Sequence, residues 1–191
     1  MLKELKAGFF MMVALTVITG LVYPALITVI AQVAFHEQAN GSLVSVNGQV
    51  VGSRLIGQSF TKPEYFHPRP SAAGNGYDAT VSGGSNLGPT SAKLFTRLKA
   101  DIDRYRAENS YAGPIPADAV TTSASGLDPH ISPANADIQS ARVANARGIS
   151  IERVKALVAE HTDGRTFGIL GEPAVNVLDL NLALDAESAA R

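Results

Sequence analysis

An uncharged stretch of about 30 residues near the N-terminus constrains this chain more than any other feature. Residues 7–36 contain no Asp, Glu, Lys or Arg and lie between Lys6 and Glu37. As an α-helix this stretch would be about 45 Å long, which exceeds the roughly 30 Å hydrocarbon core of a bilayer. The sequence therefore predicts a transmembrane helix over residues 7–35. Pro24 is a candidate kink, because proline removes a backbone donor.

A cleaved secretory signal peptide is the alternative interpretation of this N-terminus. The hydrophobic regions of signal peptides run to roughly 7–15 residues, about half the length found here, so a retained anchor fits better. Lys3 and Lys6 precede the span, and only His36 and Glu37 follow it closely. Positively charged flanks remain in the cytoplasm. Residues 1–6 should therefore be cytoplasmic, and residues 36–191 should be extracytoplasmic.

The remaining part of the chain is nearly neutral and contains no cysteine. All 16 basic and 17 acidic residues except Lys3, Lys6 and Glu4 lie beyond the span. This balance gives no positively charged surface of the kind that binds nucleic acid. Without cysteine the chain can form neither a disulfide nor a thiolate metal site. Roughly 155 residues suffice for one domain with its own core.

The segment that follows the span predicts a β-hairpin and then a long irregular connection. Asn47-Gly48 suits a type I′ turn between strands at 43–46 and 49–53, with a further strand predicted at 55–60. Residues 61–90 are rich in proline, glycine and asparagine and show no apolar period. Connections of this length usually bind something or are disordered, so this one is a candidate binding element.

Three helices, two strands and a short terminal helix are predicted after this connection. Apolar residues at helical spacing indicate a helix over 91–109. A second helix should begin near Pro133 and end before Gly148, and a third should be capped by Ser150. Short strands are expected at 167–170 and 175–178, and a short terminal helix from Asp179. Together these elements predict an α+β domain.

No catalytic motif is recognisable. The sequence contains no Walker loop, no Gly-x-Ser-x-Gly elbow, no dinucleotide fingerprint, no His-Glu-x-x-His zinc helix and no Asp-Lys-Thr-Gly-Thr phosphorylation motif. The hydroxyl-rich block at 121–134 also lacks the strand-to-helix elbow that a serine nucleophile would need. We therefore expect the chain to catalyse no reaction alone.

Histidines in proline-rich loops are the candidates for a metal site. His67 and His130, with Asp78 and Asp128, combine imidazole and carboxylate groups that suit zinc or manganese. The alternative is that these side chains hydrogen-bond the loop backbone, which must be satisfied where loops pack on a domain. The second interpretation is favoured, and no metal is expected.

A glycine-rich run offers a candidate nucleotide site. Ser82, Gly83, Gly84, Ser85 and Asn86 precede a predicted helix, and backbone N–H groups of such a run can cradle an anion. The Ser-Gly-Gly-Ser core is similar to the signature loop of ABC ATPases, although no lysine accompanies it. The alternative is a turn or a partner-docking loop.

A series of short segments carries a resemblance that covers nearly the whole chain. They are, in order, the N-terminal span, GSRLIGQSF at 52–60, YF at 65–66, RPSA at 69–72, YD at 77–78, SGGSNLGP at 82–89, residues 123–132, RVA at 142–144, RG at 147–148, GEP at 171–173 and VNVL at 175–178. In this combination the chain resembles the C-subunit family of the bacterial Kdp potassium-transporting P-type ATPases.

The resemblance implies an accessory, non-catalytic subunit of the inner membrane. Its implied partners are a channel-like potassium-translocating subunit, a P-type ATP-hydrolysing subunit and a small single-span subunit. ATP, Mg²⁺ and K⁺ would be handled by the complex, with no cofactor bound by this chain itself. The family is described as a catalytic chaperone that supports assembly and raises the ATP affinity of the hydrolysing subunit. The candidates for partner contacts are Tyr65, Phe66, Arg69, Asp128 and His130.

Because the outer domain would face the side where ions enter, we expect it to clamp the channel-like subunit through residues 61–90. An effect on ATP binding would then cross the membrane as a coupling free energy. Two other classes remain open at this point: a membrane-anchored extracytoplasmic metallohydrolase and a free-standing binding module.

Overall fold

The computed structural model describes residues 1–189, which divide into two compact units. The first comprises residues 1–43 and contains helices α1 (Leu2–Val17), α2 (Tyr23–Ala34) and α3 (His36–Ala39). The second begins at residue 44 and holds the remaining helices and sheet.

The first unit is dominated by a continuous helix from Leu2 to Ala34, which is long and apolar enough to cross a membrane. A π-helical turn at Ile18–Val22 joins α1 to α2. It lies just before Pro24, which has no N–H and whose ring clashes with the carbonyl four residues earlier, so the wider turn accommodates the proline. The sequence predicted a kink at Pro24, and the structure has a π-helical turn just before it.

A β-hairpin formed by β1 (Leu43–Val46) and β2 (Gln49–Ser53) confirms the sequence prediction. Asn47 and Gly48 have φ of 51° and 78°, which are the positive values that a type I′ turn requires at both central positions. The further strand expected at 55–60 is absent from the described residues, because the chain bends after β2 and continues as an irregular segment.

Up to residue 189, the second unit contains most of the hairpin, four α-helices and a small three-stranded antiparallel sheet. The helices are α4 (Ala92–Asn109), α5 (Pro133–Arg147), α6 (Ile151–Glu160) and α7 (Val177–Ala189). The sheet has the strand order β3 (His130–Ile131), β5 (Ala174–Asn176), β4 (Thr162–Asp163). Helix α5 packs against α4 and α6, and α6 packs against α7. The α+β prediction is therefore confirmed.

Two groups of buried apolar side chains form the core of this unit. The larger group lies among α5, α6, α7 and the sheet and includes Phe66, Ile131, Val143, Val154, Leu157, Val175, Leu180 and Leu184. The smaller group joins α4 to α5 through Tyr105, Ala119, Val120, Leu98, Ile102, Ile115 and Ile138. Burial of these side chains away from water is the main force that holds the helices together.

The helix boundaries follow the local signals in the sequence. The hydroxyl of Ser132 accepts a hydrogen bond from the N–H of Asn135 at the start of α5, and that of Ser150 accepts one from Arg153 at the start of α6. Gly148, with φ of 63°, ends α5 in the left-handed conformation. All three boundaries agree with the predictions.

The C-terminal strands were predicted less well. Residues 167–170 form an exposed turn rather than a strand, closed by a bridge between Thr166 and Leu170. The strand that follows spans Ala174–Asn176, and the terminal helix already begins at Val177. Apolar residues beside glycine indicated a strand, but the positive φ of Phe167, Gly168 and Gly171 bends the backbone out of an extended path.

Candidate functional site

Two buried amide side chains hold the beginning of the long connection against the helices. Asn181 of α7 accepts a hydrogen bond from the N–H of Phe66 at 2.8 Å and donates one to its carbonyl at 3.0 Å. Gln139 of α5 does the same for His67, at 2.7 and 3.0 Å. Each amide thus satisfies both backbone groups of one residue, as a neighbouring strand would. The connection is held in place without being part of the sheet.

Two arginines fix the residues just before this point. Arg142 donates to the carbonyls of Pro63 and Tyr65 at 2.6 and 2.9 Å, and burial lowers its pKa. Arg147 donates to the carbonyl of Glu64 at 2.6 Å, and its guanidinium carbon lies 5.0 Å from the centre of the Tyr65 ring. Four polar side chains therefore hydrogen-bond the backbone of residues 63–67 and fix its position.

The side chains of Tyr65 and Phe66 differ in how much of their surface is accessible. Phe66 is fully buried in the larger core group, so contact between its side chain and a partner would require the domain to open. Tyr65 is half-buried, and its hydroxyl donates to Asp185 at 3.1 Å. Of these two interface candidates, the structure leaves only Tyr65 with accessible surface.

Arg69, Asp128 and His130 come together in a charged cluster at the edge of the domain. Arg69 Nη1 lies 2.7 Å from Asp128 Oδ2, and the backbone N–H and ring of His130 lie 3.0 and 3.5 Å from Oδ1. Burial acts to raise the pKa of Asp128, but hydrogen bonds from His130 and Arg69 outweigh it and lower that pKa to about 2. The carboxylate in turn raises the pKa of His130. The cluster ties the long connection to the segment before β3.

The glycine-rich run packs against a second loop. The Gly83 N–H and the Ser82 hydroxyl both donate to the carbonyl of Ser125, at 2.8 and 3.1 Å. A Cβ on Gly84 would lie 3.1 Å from the Ala124 carbonyl oxygen, so the small residue permits this close approach. One of the backbone donors that an anion would use is therefore already engaged within the domain, while Ser85 and Asn86 complete the run.

Of the four residues of the alternative metal site, Asp128 and His130 lie together, but His67 and Asp78 have other partners. His67 Nε2 contacts the carbonyl of Lys62 at 3.0 Å, and its Nδ1 lies 3.5 Å from Glu108. Asp78 accepts hydrogen bonds from the N–H and hydroxyl of Thr80 at 2.9 and 2.6 Å. Across residues 1–189 no cluster of three or more His, Cys, Asp or Glu side chains could hold a metal ion. These side chains satisfy local partners instead.

The exposed turn at 166–170 was missed by the sequence analysis as a candidate contact surface. Phe167, Ile169 and Leu170 are 89%, 74% and 57% exposed. An ion pair between Arg165 and Glu172, at 2.6 Å, closes the base of the turn. Adjacent large apolar side chains held out in water are typical of a surface that a partner covers. The signal was present in the sequence as apolar residues enclosed by glycines, but it was interpreted as a strand.

Gln139 and Asn181 are two further functional residues that no sequence pattern identified. Both are 1% exposed on the buried faces of their helices. Asn181 lies among apolar residues, whereas Gln139 shares its face with the buried polar residues Asn135 and Ser140. A polar residue on a buried helical face was the available signal, although nothing in the sequence shows what it binds.

Comparison with known proteins decides the family. A family model described as the K⁺-transporting ATPase, C chain, KdpC, matches residues 5–186. The chain belongs to the KdpC family. It is 59% identical to the potassium-transporting ATPase KdpC subunit of Koribacter versatilis over 185 residues, covering 97% of this chain and 95% of the relative. The corresponding subunit of Myxococcus xanthus is 62% identical over 171 residues, covering 88% and 81% of the two chains. That of Mycobacterium tuberculosis strain H37Rv is 54% identical over 187 residues, covering 97% and 99%.

Membership of the KdpC family agrees with the resemblance and with the absence of a catalytic motif. The chain is an accessory subunit of a multi-subunit potassium-transporting ATPase and is not an enzyme on its own. It carries one N-terminal helix that could cross a membrane.

Proposed function

We propose that this KdpC-family chain stabilises a high-affinity potassium import complex by docking its second unit, outside the cytoplasm, on the channel-like subunit. The observation that carries the proposal is the braced apolar turn of Phe167, Ile169 and Leu170. Covering these side chains removes apolar surface from water, and large apolar side chains at the centre of an interface contribute much of its binding energy.

The half-exposed polar cluster supplies a second, weaker kind of contact. Arg69, Asp128 and His130 retain 22%, 27% and 39% of their side-chain exposure. Charged groups at the rim of an interface set orientation and association rate more than affinity. We assign them, with Tyr65, to the rim of the docking surface, while Phe66 supports that surface from within the core.

The N-terminal helix anchors the chain among the other membrane subunits. A single span cannot enclose a pore, and helices in lipid associate by close packing at small residues. Gly20 lies in the π-helical turn, where a Cβ would meet no other atom. Lys3 and Lys6 before the span favour a cytoplasmic N-terminus, which supports a second unit outside the cytoplasm.

The proposed influence on ATP affinity is indirect. A domain outside the cytoplasm meets little ATP, and the Gly83 N–H of the candidate nucleotide run is engaged by Ser125. Binding to the channel-like subunit can still shift the conformation of the hydrolysing subunit, and such coupling is reciprocal. ATP binding to the isolated full chain in detergent, with a Kd in the micromolar range, would contradict this indirect route.

Photo-crosslinking tests the docking surface directly. A photoreactive phenylalanine analogue in place of Phe167 should capture the channel-like subunit in membranes that contain the complete complex. The same analogue in place of Phe95, which is 62% exposed on α4, is the matched control and should give little product. Capture of lipid alone from position 167, or equal capture from both positions, would contradict docking through the turn.

The orientation has its own test because the chain lacks cysteine. Ala107→Cys places a unique thiol on the exposed side of α4, and Leu2→Cys places one before the span. In intact cells a membrane-impermeant maleimide should label the first variant and spare the second. The reverse pattern would place the second unit in the cytoplasm.

A further inference from the structure

A cavity of about 670 Å³ lies between α4 and the long connection, separate from the exposed turn. Its volume falls within the roughly 300–1,000 Å³ typical of small-molecule sites. One wall is the charged face of α4, and the long connection lines the cavity with both polar and apolar side chains. The apolar ones include Phe60, Pro68, Pro70 and Leu87, which offer a surface for an apolar group.

The α4 wall begins with two cations and then alternates carboxylate, cation and carboxylate. Five side chains share this face at spacings of three or four residues, namely Lys93, Arg97, Asp101, Arg104 and Glu108. The two cations nearest the start of the helix precede the two carboxylates, and Arg104 lies between those carboxylates, 2.7 Å from Asp101 and 3.9 Å from Glu108. Lys93 near the start of α4 and Glu108 near its end oppose the helix dipole, whereas the pairs of Arg104 with Asp101 and Glu108 stabilise the helix.

Two atoms at the centre of this wall lack hydrogen-bond partners within the described chain. They are Asp101 Oδ2, on a side chain that is only 9% exposed, and Arg97 Nε. The two atoms are 3.7 Å apart, which is too far for a hydrogen bond. Buried polar groups are almost always satisfied, so an acceptor is required beside Arg97 and a donor beside Asp101.

We propose that this cavity binds a small organic acid whose carboxylate neighbours a hydrogen-bond donor, the class of free α-amino and α-hydroxy acids. The carboxylate accepts from Arg97 Nε and pairs with Lys93, and the adjacent ammonium or hydroxyl donates to Asp101 Oδ2. The apolar side chains of the long connection, such as Phe60 and Leu87, receive the ligand's side chain. A simple anion would meet the Asp101 carboxylate, and a metal cation would meet Arg97, so each supplies only one of the two missing partners.

This inference is independent of the docking proposal, and calorimetry on the purified full chain in detergent tests it. The probes are L-leucine and L-2-hydroxy-4-methylpentanoate, which share a shape and differ in the donor. 4-Methylpentanoate lacks the donor, and L-leucinamide lacks the carboxylate. At least one of the first two should bind with a Kd of about 1 mM or lower, and both controls should bind about tenfold more weakly.

Variants of the wall locate the site. Asp101→Asn and Arg97→Gln should each weaken binding about tenfold, whereas Asp103→Asn and Arg106→Gln, on the exposed side of α4, should leave it unchanged. Lys93→Gln alters an exposed residue and should also weaken binding, which keeps the test decisive if a buried variant fails to fold.

Four results would overturn the assignment. They are no detectable binding of either acid at about 10 mM, equal binding of 4-methylpentanoate, binding that the wall variants do not change, and binding of ATP in place of these acids. If neither acid binds, water completes the Asp101 and Arg97 pair.

Discussion

The side chain of Asn181 binds both backbone groups of Phe66, accepting from its N–H at 2.8 Å and donating to its carbonyl at 3.0 Å. The two residues are 115 positions apart in the sequence, and Asn181 is 1% exposed. This pair secures the long connection to the terminal helix, and with it the position of Tyr65 and Arg69 at the surface. The stability of that surface therefore depends on a buried amide far from it in sequence.

Asn181→Leu should destabilise the second unit by about 2–4 kcal/mol, because it keeps the side chain's size but leaves two buried backbone groups unsatisfied. Urea unfolding in mild detergent, followed by circular dichroism, measures the loss. Asn145→Leu, on the exposed side of α5, is the matched control and should change stability by no more than about 0.5 kcal/mol. Equal effects of the two substitutions would show that the Phe66 contact is not important.

Gly126→Ala should disrupt the contact between the two loops. Gly126 has φ of +68°, and a Cβ there would lie 2.7 Å from both the Gly83 oxygen and the Ala73 nitrogen. We expect a loss of about 2–3 kcal/mol in unfolding free energy, from backbone strain and displacement of the glycine-rich run. Gly164→Ala meets no atom within 4 Å and has no positive φ, so it should be neutral to within about 0.5 kcal/mol. A neutral Gly126→Ala would mean that the loops are not packed as described.

The Asp128 and His130 pair should make stability depend on pH in two windows. The pKa of Asp128 is lowered from its ordinary 3.8 to about 2, so its contribution is present above pH 3.8 and is lost as pH falls toward 2. The pKa of His130 is raised from 6.5, so its contribution is present below pH 6.5 and is lost as pH rises through the higher folded value.

Urea midpoints measured across pH test both windows. His130→Gln should remove the loss above pH 6.5, and Asp128→Asn should flatten both windows. His161→Gln, at the end of α6, is a matched control and should leave the loss associated with His130 in place. A wild-type profile that rises above pH 6.5 in step with His130 titration would contradict the arrangement.

The parts of the fold that could be predicted are those set by local chemistry. Ser132, Ser150 and Gly148 define helix ends through contacts within a few residues, and Asn47-Gly48 defines its own turn. Gln139 and His67 are hydrogen-bonded although 72 residues separate them in the sequence, and no local pattern specifies such a partner. Burial of Phe66 was missed for the same reason, because only the packed helices determine which side of the loop faces inward.

In the candidate site, too, contacts between sequence neighbours could be predicted and contacts between distant residues could not. Asp128 and His130 are neighbours in the sequence and were identified together, but Arg69 joins them only through the tertiary fold. The apolar turn was misassigned as a strand because its composition suits both. Left-handed backbone at Phe167 and Gly168 decides between them, and a propensity argument weighs such positions poorly.

Recovery of the assembled complex tests the central claim most directly. The full complex is purified in mild detergent through a tag on this chain, and potassium-stimulated ATPase activity is measured with wild-type chain, with Phe167, Ile169 and Leu170 all changed to Ser, and with Phe95→Ser. We predict that the wild type and Phe95→Ser recover the large membrane subunits with activity, and that the triple variant loses about tenfold or more of both while remaining folded. Full recovery and activity with the triple variant would contradict docking through this turn.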